Sequence, residues 1–331
     1  MSRKFLFLSV SLILIVLISG SLFSKQIQGL GDERWVEFSV FPSQGVSQIA
    51  QKLFEEKLIS SKFLFLAYTY FSGKFSQLKP GHYLLSPSLS LKEIVKILSQ
   101  GPSPLEIVVY PGMTLKEIDE LLAKNRIIKK GELLSLEAAN FSQKFPFLSA
   151  AQSLEGFLMP DTYKFFPFSS PSQVAEIFLD NFWEKTKNLW GDLTKGEEIY
   201  KKVILASILE KEVNSFEDKK LVAGIILKRL ALNMPLQVDA SVVYGVCQGK
   251  FLDCPSLVAN DFKRDFSHNT YLYLGLPPTP IANPSLESLK AALSPQKSDY
   301  LFYLSDPLTK KTVFSKTFQE HSQKRARYLG L

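Results

Sequence analysis

Lys201-Lys-Val-Ile-Leu-Ala-Ser-Ile-Leu-Glu-Lys-Glu-Val213 carries apolar residues around most of a helical circumference, which predicts a helix buried in a core. A carboxylate near the end of such a helix is costly unless it is paired or put to use. At about 100° per residue, Glu210 falls over Ala206 and close to the Val203 and Ser207 rows, where small side chains leave room beside it. Glu212 points roughly 200° away, toward Leu205 and Ile208, so the two acids do not face each other. From the residues alone Glu210 has two readings, a structural ion pair with Lys211 or another basic neighbour, or a working acid. Glu212 reads as a structural, salt-bridged carboxylate.

Around this helix lies a chain of 331 residues, 46% hydrophobic and 21% charged, long enough for two domains or one large one with an appendage, and ordinary for a globular protein. The net charge of +7 comes without a dense Lys/Arg stripe interleaved with aromatics, which argues against nucleic-acid binding. Phe5 to Phe23 holds no charged residue, and as a helix would span about 28 Å, close to a bilayer core. Arg3 and Lys4 precede it, so the positive-inside bias keeps the N-terminus cytoplasmic and exports the rest as a single-pass membrane protein. The competing reading is a cleaved signal peptide with Ser19-Gly-Ser21 as its small-residue site. Cys247 and Cys254 would close a short loop as a disulfide, or stand as two free thiols. His82, His268 and His321 are too scattered to read as a metal site, and neither a P-loop nor a Gly-x-Ser-x-Gly elbow occurs.

Along the chain, Trp35–Phe41 alternates as a strand, Val46–Glu56 and Ser60–Tyr70 have helical spacing, and Gly81–Leu85 returns as a strand. Ser90-Leu-Lys-Glu93 and Thr114-Leu-Lys-Glu117 are capping boxes, with a strand at Glu106–Tyr110 between their helices. Pro42, Pro87 and Pro111 each precede an isoleucine by seven (Ile49, Ile94, Ile118), followed four later by a leucine (Leu53, Leu98, Leu122), a strand–turn–amphipathic helix repeat. Leu154–Pro167 reads as a loop-like run, with Asp161 capping and Tyr163 packing. Pro171–Trp190 and Glu217–Leu232 read as helices, the latter with Asn233 as a left-handed C-cap. Met234–Asp239 reads as extended, Asp239 as the N-cap of a helix over Ala240–Val246, and Asn283-Pro284 as N-cap and N1 of Ser285–Leu293. A terminal hairpin pairs Tyr300–Ser305 with Thr312–Ser315.

A β-α-α-β unit behind one anchor resembles the LysM-like module of the endolytic murein transglycosylases, the MltG or YceG-like family. Further matches are Glu155-Gly-Phe-Leu158 with Pro160-Asp-Thr-Tyr163, Ala206-Ser-Ile-Leu-Glu-Lys-Glu212, Met234-Pro-Leu-Gln-Val-Asp239, and Asn269-Thr-Tyr271 with Gly275-Leu-Pro-Pro278. The resemblance covers about residues 35–325 and departs at His268, Ala240 and Lys310-Lys311-Thr312, where tyrosine, proline and Gly-Gly-His are frequent. It implies an α+β protein: residues 1–25 a cytoplasmic N-terminus and transmembrane helix, 33–103 a LysM-like module, 104–331 a catalytic domain.

The activity implied is that of a lyase, a lytic transglycosylase cutting the MurNAc–GlcNAc bond within peptidoglycan strands to leave a 1,6-anhydro end. Glu210 would be general acid and base, its acidity expected to be lowered by burial. Gln237, Asn269, Tyr271, Glu155 and Glu217 are candidate substrate contacts. No cofactor or metal is implied; the partners are peptidoglycan glycan, the membrane and peptidoglycan synthases. The rival readings are a non-catalytic glycan-binding scaffold and a water-using muramidase with Glu155 or Glu217 as partner acid.

Overall fold

The computed structural model describes residues 29–191, 196–309 and 311–330. The Phe5–Phe23 span, the Ser19–Ser21 cleavage reading and Lys310 of the terminal hairpin lie outside them. Among the described residues no helix is long and apolar enough to cross a membrane. The chain divides into two compact units, one ending at Leu105 and taking in Phe166–Phe168, the other comprising Glu106–Phe165 and the chain from Ser169 onward.

In the first unit β1 (Val36–Val40) pairs antiparallel with β2 (Gly81–Leu85), in a register running from Val36 opposite Leu85 to Val40 opposite Gly81. Between them lie α1 (Val46–Glu55) and α2 (Lys62–Phe71), and α3 (Leu91–Gln100) follows. Period-two alternation turns Phe38, Val40, Tyr83 and Leu85 into one core with Ile49, Leu53, Phe65, Ile94 and Leu98. Ser90 caps α3 as the capping box predicts, accepting from the Glu93 amide while Glu93 accepts from the Ser90 amide.

The second unit opens with β3 (Leu105–Val109) and α4 (Leu115–Lys124), whose Thr114–Glu117 box also forms. The isoleucine–leucine repeat falls on α1, α3 and α4, and all six side chains are at most 2% exposed. Within Leu154–Pro167 the structure differs from the loop expected: Asp161–Phe165 is a strand, β4, paired with β3. Tyr163 and Phe165 point inward and Lys164 outward, a short alternation hidden in the sequence by the flanking Pro160 and Pro167. α5 (Pro171–Thr186) precedes the central helix α6 (Gly196–Glu212), buried along Val203–Leu209 as its all-round apolar pattern predicts. α6 packs against α7 (Phe216–Ala231) and α9 (Leu286–Leu293), which follows α8 (Asp239–Val246).

Two caps differ from expectation. α8 begins at Asp239 itself, with Val238 in the cap position, so the Asp239 carboxylate is left for other contacts. Ser285, not Asn283, caps α9. Asn283 is buried and accepts from the Gly156 and Leu158 amides while donating to the Met113 carbonyl and to Glu155. β5 (Phe302–Ser305) and β6 (Thr312–Ser315) form the terminal hairpin, and α10 (Phe318–Leu329) closes the described chain. Cys247 and Cys254 are joined as a disulfide.

Candidate active site

The last turn of α6 carries both glutamates into different surroundings. Glu210 Oε2 accepts from the Ser285 amide (2.8 Å), Ser285 Oγ (2.5 Å) and Ser288 Oγ (2.6 Å), and lies 3.5 Å from the Lys219 ammonium. These donors sit at the N-terminus of α9, where backbone amides and the helix dipole favour negative charge. Burial alone would raise the Glu210 pKa, but the serine hydrogen bonds and the lysine outweigh it and hold the carboxyl below its ordinary range. The acid expected to be lifted toward neutrality is therefore ionised, because its sequence-distant neighbours are donors. The Glu210–Lys219 pair is almost sealed, its side chains 10% and 4% exposed.

Glu212 points the other way, into the wall of a cavity of about 650 Å³. It accepts from the Tyr303 hydroxyl (3.0 Å) and the Ala240 amide rather than from a cation. Burial pushes its pKa up to about 7, and the nearby charge of Asp239 adds to the shift. The expected ion pair at Glu212 is thus replaced by neutral donors, which leave the carboxyl able to hold a proton near neutrality.

Four other elements complete the cavity. α7 supplies Arg229, which is 6% exposed and whose guanidinium donates to the Pro235 and Leu301 carbonyls and to Gln237 Oε1 (2.8 Å). Because arginine only donates, the Gln237 amide turns its oxygen to Arg229 and its NH2 away from it. Gln237 has φ of 52°, in the left-handed region, where the segment was expected to be extended. Asp239 accepts from the Tyr271 hydroxyl (2.6 Å), and both line the same wall. β5 brings Tyr303, and α10 brings His321 and Arg325. His321 stacks on Phe302, and its buried Nδ1 has no hydrogen-bond partner among the described residues. Burial, with Arg325, Arg229 and Lys324 nearby, lowers its pKa, so the ring is neutral and can accept or donate one hydrogen bond.

Of the residues singled out in the sequence, Gln237 and Tyr271 reach this cavity with Glu212. Asn269 does not: its amide is buried and spent on the Phe262 and Arg264 carbonyls and the Tyr271 amide. Glu217 lies on the surface of α7 and pairs with Lys220. Glu155 sits in a separate place, accepting from the Leu115 amide at the start of α4, from Asn283 and from Tyr244, with burial raising its pKa to about 8. It ties helix α4 to the loop and lines a different cavity beside His268. Arg229, Tyr303, His321 and Arg325 were not anticipated. One signal could have found the helix behind two of them: Thr317-Phe-Gln-Glu320 is a capping box, and Thr317 does accept from the Glu320 amide.

The cavity thus gathers one proton-holding carboxyl, a second carboxylate, two tyrosines, two arginines and a neutral imidazole on an α+β scaffold. The sequence model of the YceG-like family matches residues 38–327, and the chain belongs to that family. It is 30% identical over 316 residues to the endolytic murein transglycosylase of Bacillus subtilis strain 168, covering 89% of this chain and 85% of that one. The enzyme of the same name from Streptococcus pneumoniae R6 is 27% identical over 332 residues; the match takes in 90% of this chain but 59% of that longer one. Among solved structures, a YceG-like protein of Listeria monocytogenes superposes with a TM-score of 0.59 at 29% identity, covering 88% of this chain and 99% of that one.

Proposed function

We propose that the chain is an endolytic peptidoglycan lytic transglycosylase with Glu212 as its acid and base. The observation that carries this reading is the Glu212 carboxyl itself, with a pKa of about 7 in a cavity of about 650 Å³. Protonated Glu212 gives its proton to the glycosidic oxygen as the bond from C1 of the muramic residue breaks. The carboxylate so formed takes the proton of the same sugar's 6-hydroxyl as that oxygen closes on C1. The products are a 1,6-anhydro end and a free 4-hydroxyl, no water is consumed, and Glu212 is returned protonated. Tyr303 holds the carboxyl in place, while the Gln237 amide and the Tyr271 hydroxyl offer hydrogen bonds to acetamido and hydroxyl groups.

Family membership and the names of the relatives support the substrate class. The sequence expectation of Glu210 in this role competes directly, and one experiment separates the two. Each glutamate is replaced by glutamine and release of anhydro-muropeptides from purified sacculi is followed by mass spectrometry. Glu212→Gln is expected to abolish release, and Glu210→Gln to retain measurable turnover per folded molecule. The reverse result would transfer the role to Glu210.

Asp239 gives a specific ground for a second reading, hydrolysis by water, because it places another carboxylate in the cavity. New ends heavier by one water would establish it. The β1–α1–α2–β2 unit is proposed as a LysM-like contact for glycan, and Phe5–Phe23 as a single-pass anchor that leaves both units outside the cytoplasm. Cutting strands there, next to peptidoglycan synthases as partners, would terminate their elongation.

A further inference from the structure

Helix α2 is apolar on both sides. Leu64 and Phe65 enter the core of the first unit, yet the opposite face exposes Phe63 (77%) and Tyr70 (69%), with Phe71 (85%) at the helix end and Phe75 (44%) beyond it. Tyr70 stands edge-on to both Phe71 and Phe75, so these rings form one patch. At 150–250 Å² per ring, about 400–600 Å² of aromatic surface faces outward, more than single exposed side chains require. The stretch of chain that carries the patch is basic, between Glu55-Glu56 at the end of α1 and Glu93 in α3. From Lys57 through Lys92 the sequence holds Lys57, Lys62, Lys74, Lys79 and Lys92 and no Asp or Glu.

We propose that this face of α2 lies in the interfacial layer of an anionic lipid bilayer. Aromatic rings with lysines beside them are the composition that settles at headgroup depth, the rings among acyl chains and the ammonium groups reaching phosphate. A glycan platform fits less well, because Leu66 and Ala67 between the rings offer a sugar no hydrogen bonds. A second copy docked face to face would bring two lysine-rich stretches together, which disfavours pairing. The apolar Phe5–Phe23 stretch ends thirteen residues before Val36, at most about 45 Å of extended chain, so an anchored unit stays within reach of the surface. The inference rests on that proposed anchor and assigns to lipid the α2 face of the unit proposed above as a glycan contact, leaving the other faces of the unit to glycan.

The test uses the full chain in vesicles of phosphatidylglycerol and phosphatidylcholine, with and without bromine on the acyl chains, and Phe71→Trp as reporter against the wild-type background of Trp35, Trp183 and Trp190. The added emission is expected to be blue-shifted and quenched about twofold or more by brominated lipid, with Phe63→Trp behaving alike if Phe71→Trp folds poorly. Red, unquenched emission from a chain that floats with the vesicles would overturn the proposal while leaving the anchor intact. So would emission that is blue-shifted but unquenched and concentration-dependent, which marks a second copy, or emission that responds to peptidoglycan fragments instead of lipid. Muropeptide release assayed on the same preparation reports the catalytic reading separately.

Discussion

Glu210 and Glu212 share the last turn of α6, but one faces three donors and a lysine while the other faces a tyrosine and an empty volume. Their titrations follow with opposite signs. Glu210 is held below its ordinary range, so the stability it contributes is present above the unfolded carboxylate pKa and is lost as the solution is acidified. Glu212 is raised to about 7, so its contribution is full below the unfolded value and declines as pH climbs toward 7. Glu210→Gln would strip the buried Lys219 of its counter-charge and is expected to cost about 2–4 kcal/mol, whereas Glu212→Gln should match or exceed the wild type at pH 8. Urea unfolding at pH 8 checks both. Activity should report the same proton: kcat/KM is expected to stay level up to about pH 7 and then fall about tenfold per unit. A descending limb beginning near pH 4–5 would mean that a different group is the acid.

At the scale of elements, the segment closed by the Cys247–Cys254 disulfide docks on α4. Glu117 accepts from the Phe251 and Leu252 amides, Thr114 donates to the Gly249 carbonyl, and Lys250 pairs with Glu120. Replacing both cysteines by serine should cost about 2–3 kcal/mol by loop closure, read as a lower unfolding midpoint, with anhydro-end release at 25 °C unchanged because no residue of the Glu212 cavity lies in the loop. A large loss of activity at full folding would mean that the loop does more than clamp α4. These elements also show what the sequence could reveal. Periodic apolar positions and capping boxes located α1, α3, α4 and α6, because those signals are local. The allocation of Glu210 and Glu212 could not be read the same way. It depends on Ser285, Ser288 and Tyr303, which lie 73 or more positions further along the chain, and helical angles say only that the two acids diverge. β4 was hidden for a related reason, since its partner β3 is far away in sequence while its prolines are close by.

For the whole molecule, two cores in two units imply two cooperative blocks. Leu98→Ala removes a fully buried side chain from the first core and is expected to cost about 2–5 kcal/mol there. Native-state hydrogen exchange should then quicken across β1, α1 and α3 while α6 and α7 keep their wild-type protection. Equal acceleration in both units would show that they unfold as one.

The Ser285 and Ser288 contacts to Glu210 bear on how genetic data for this chain would look. On the proposed role of Glu212, a screen scoring activity alone would mark both glutamates of α6 as intolerant and rank them together. Measured as protein abundance in the cell, the two should part: substitutions at Glu210 deplete the folded pool, while substitutions at Glu212 leave a full pool of inert molecules. On the proposal that Glu212 is the acid of a glycan-cutting enzyme, an abundant Glu212 variant would still bind glycan and compete with the wild type, which a scarce Glu210 variant could not do.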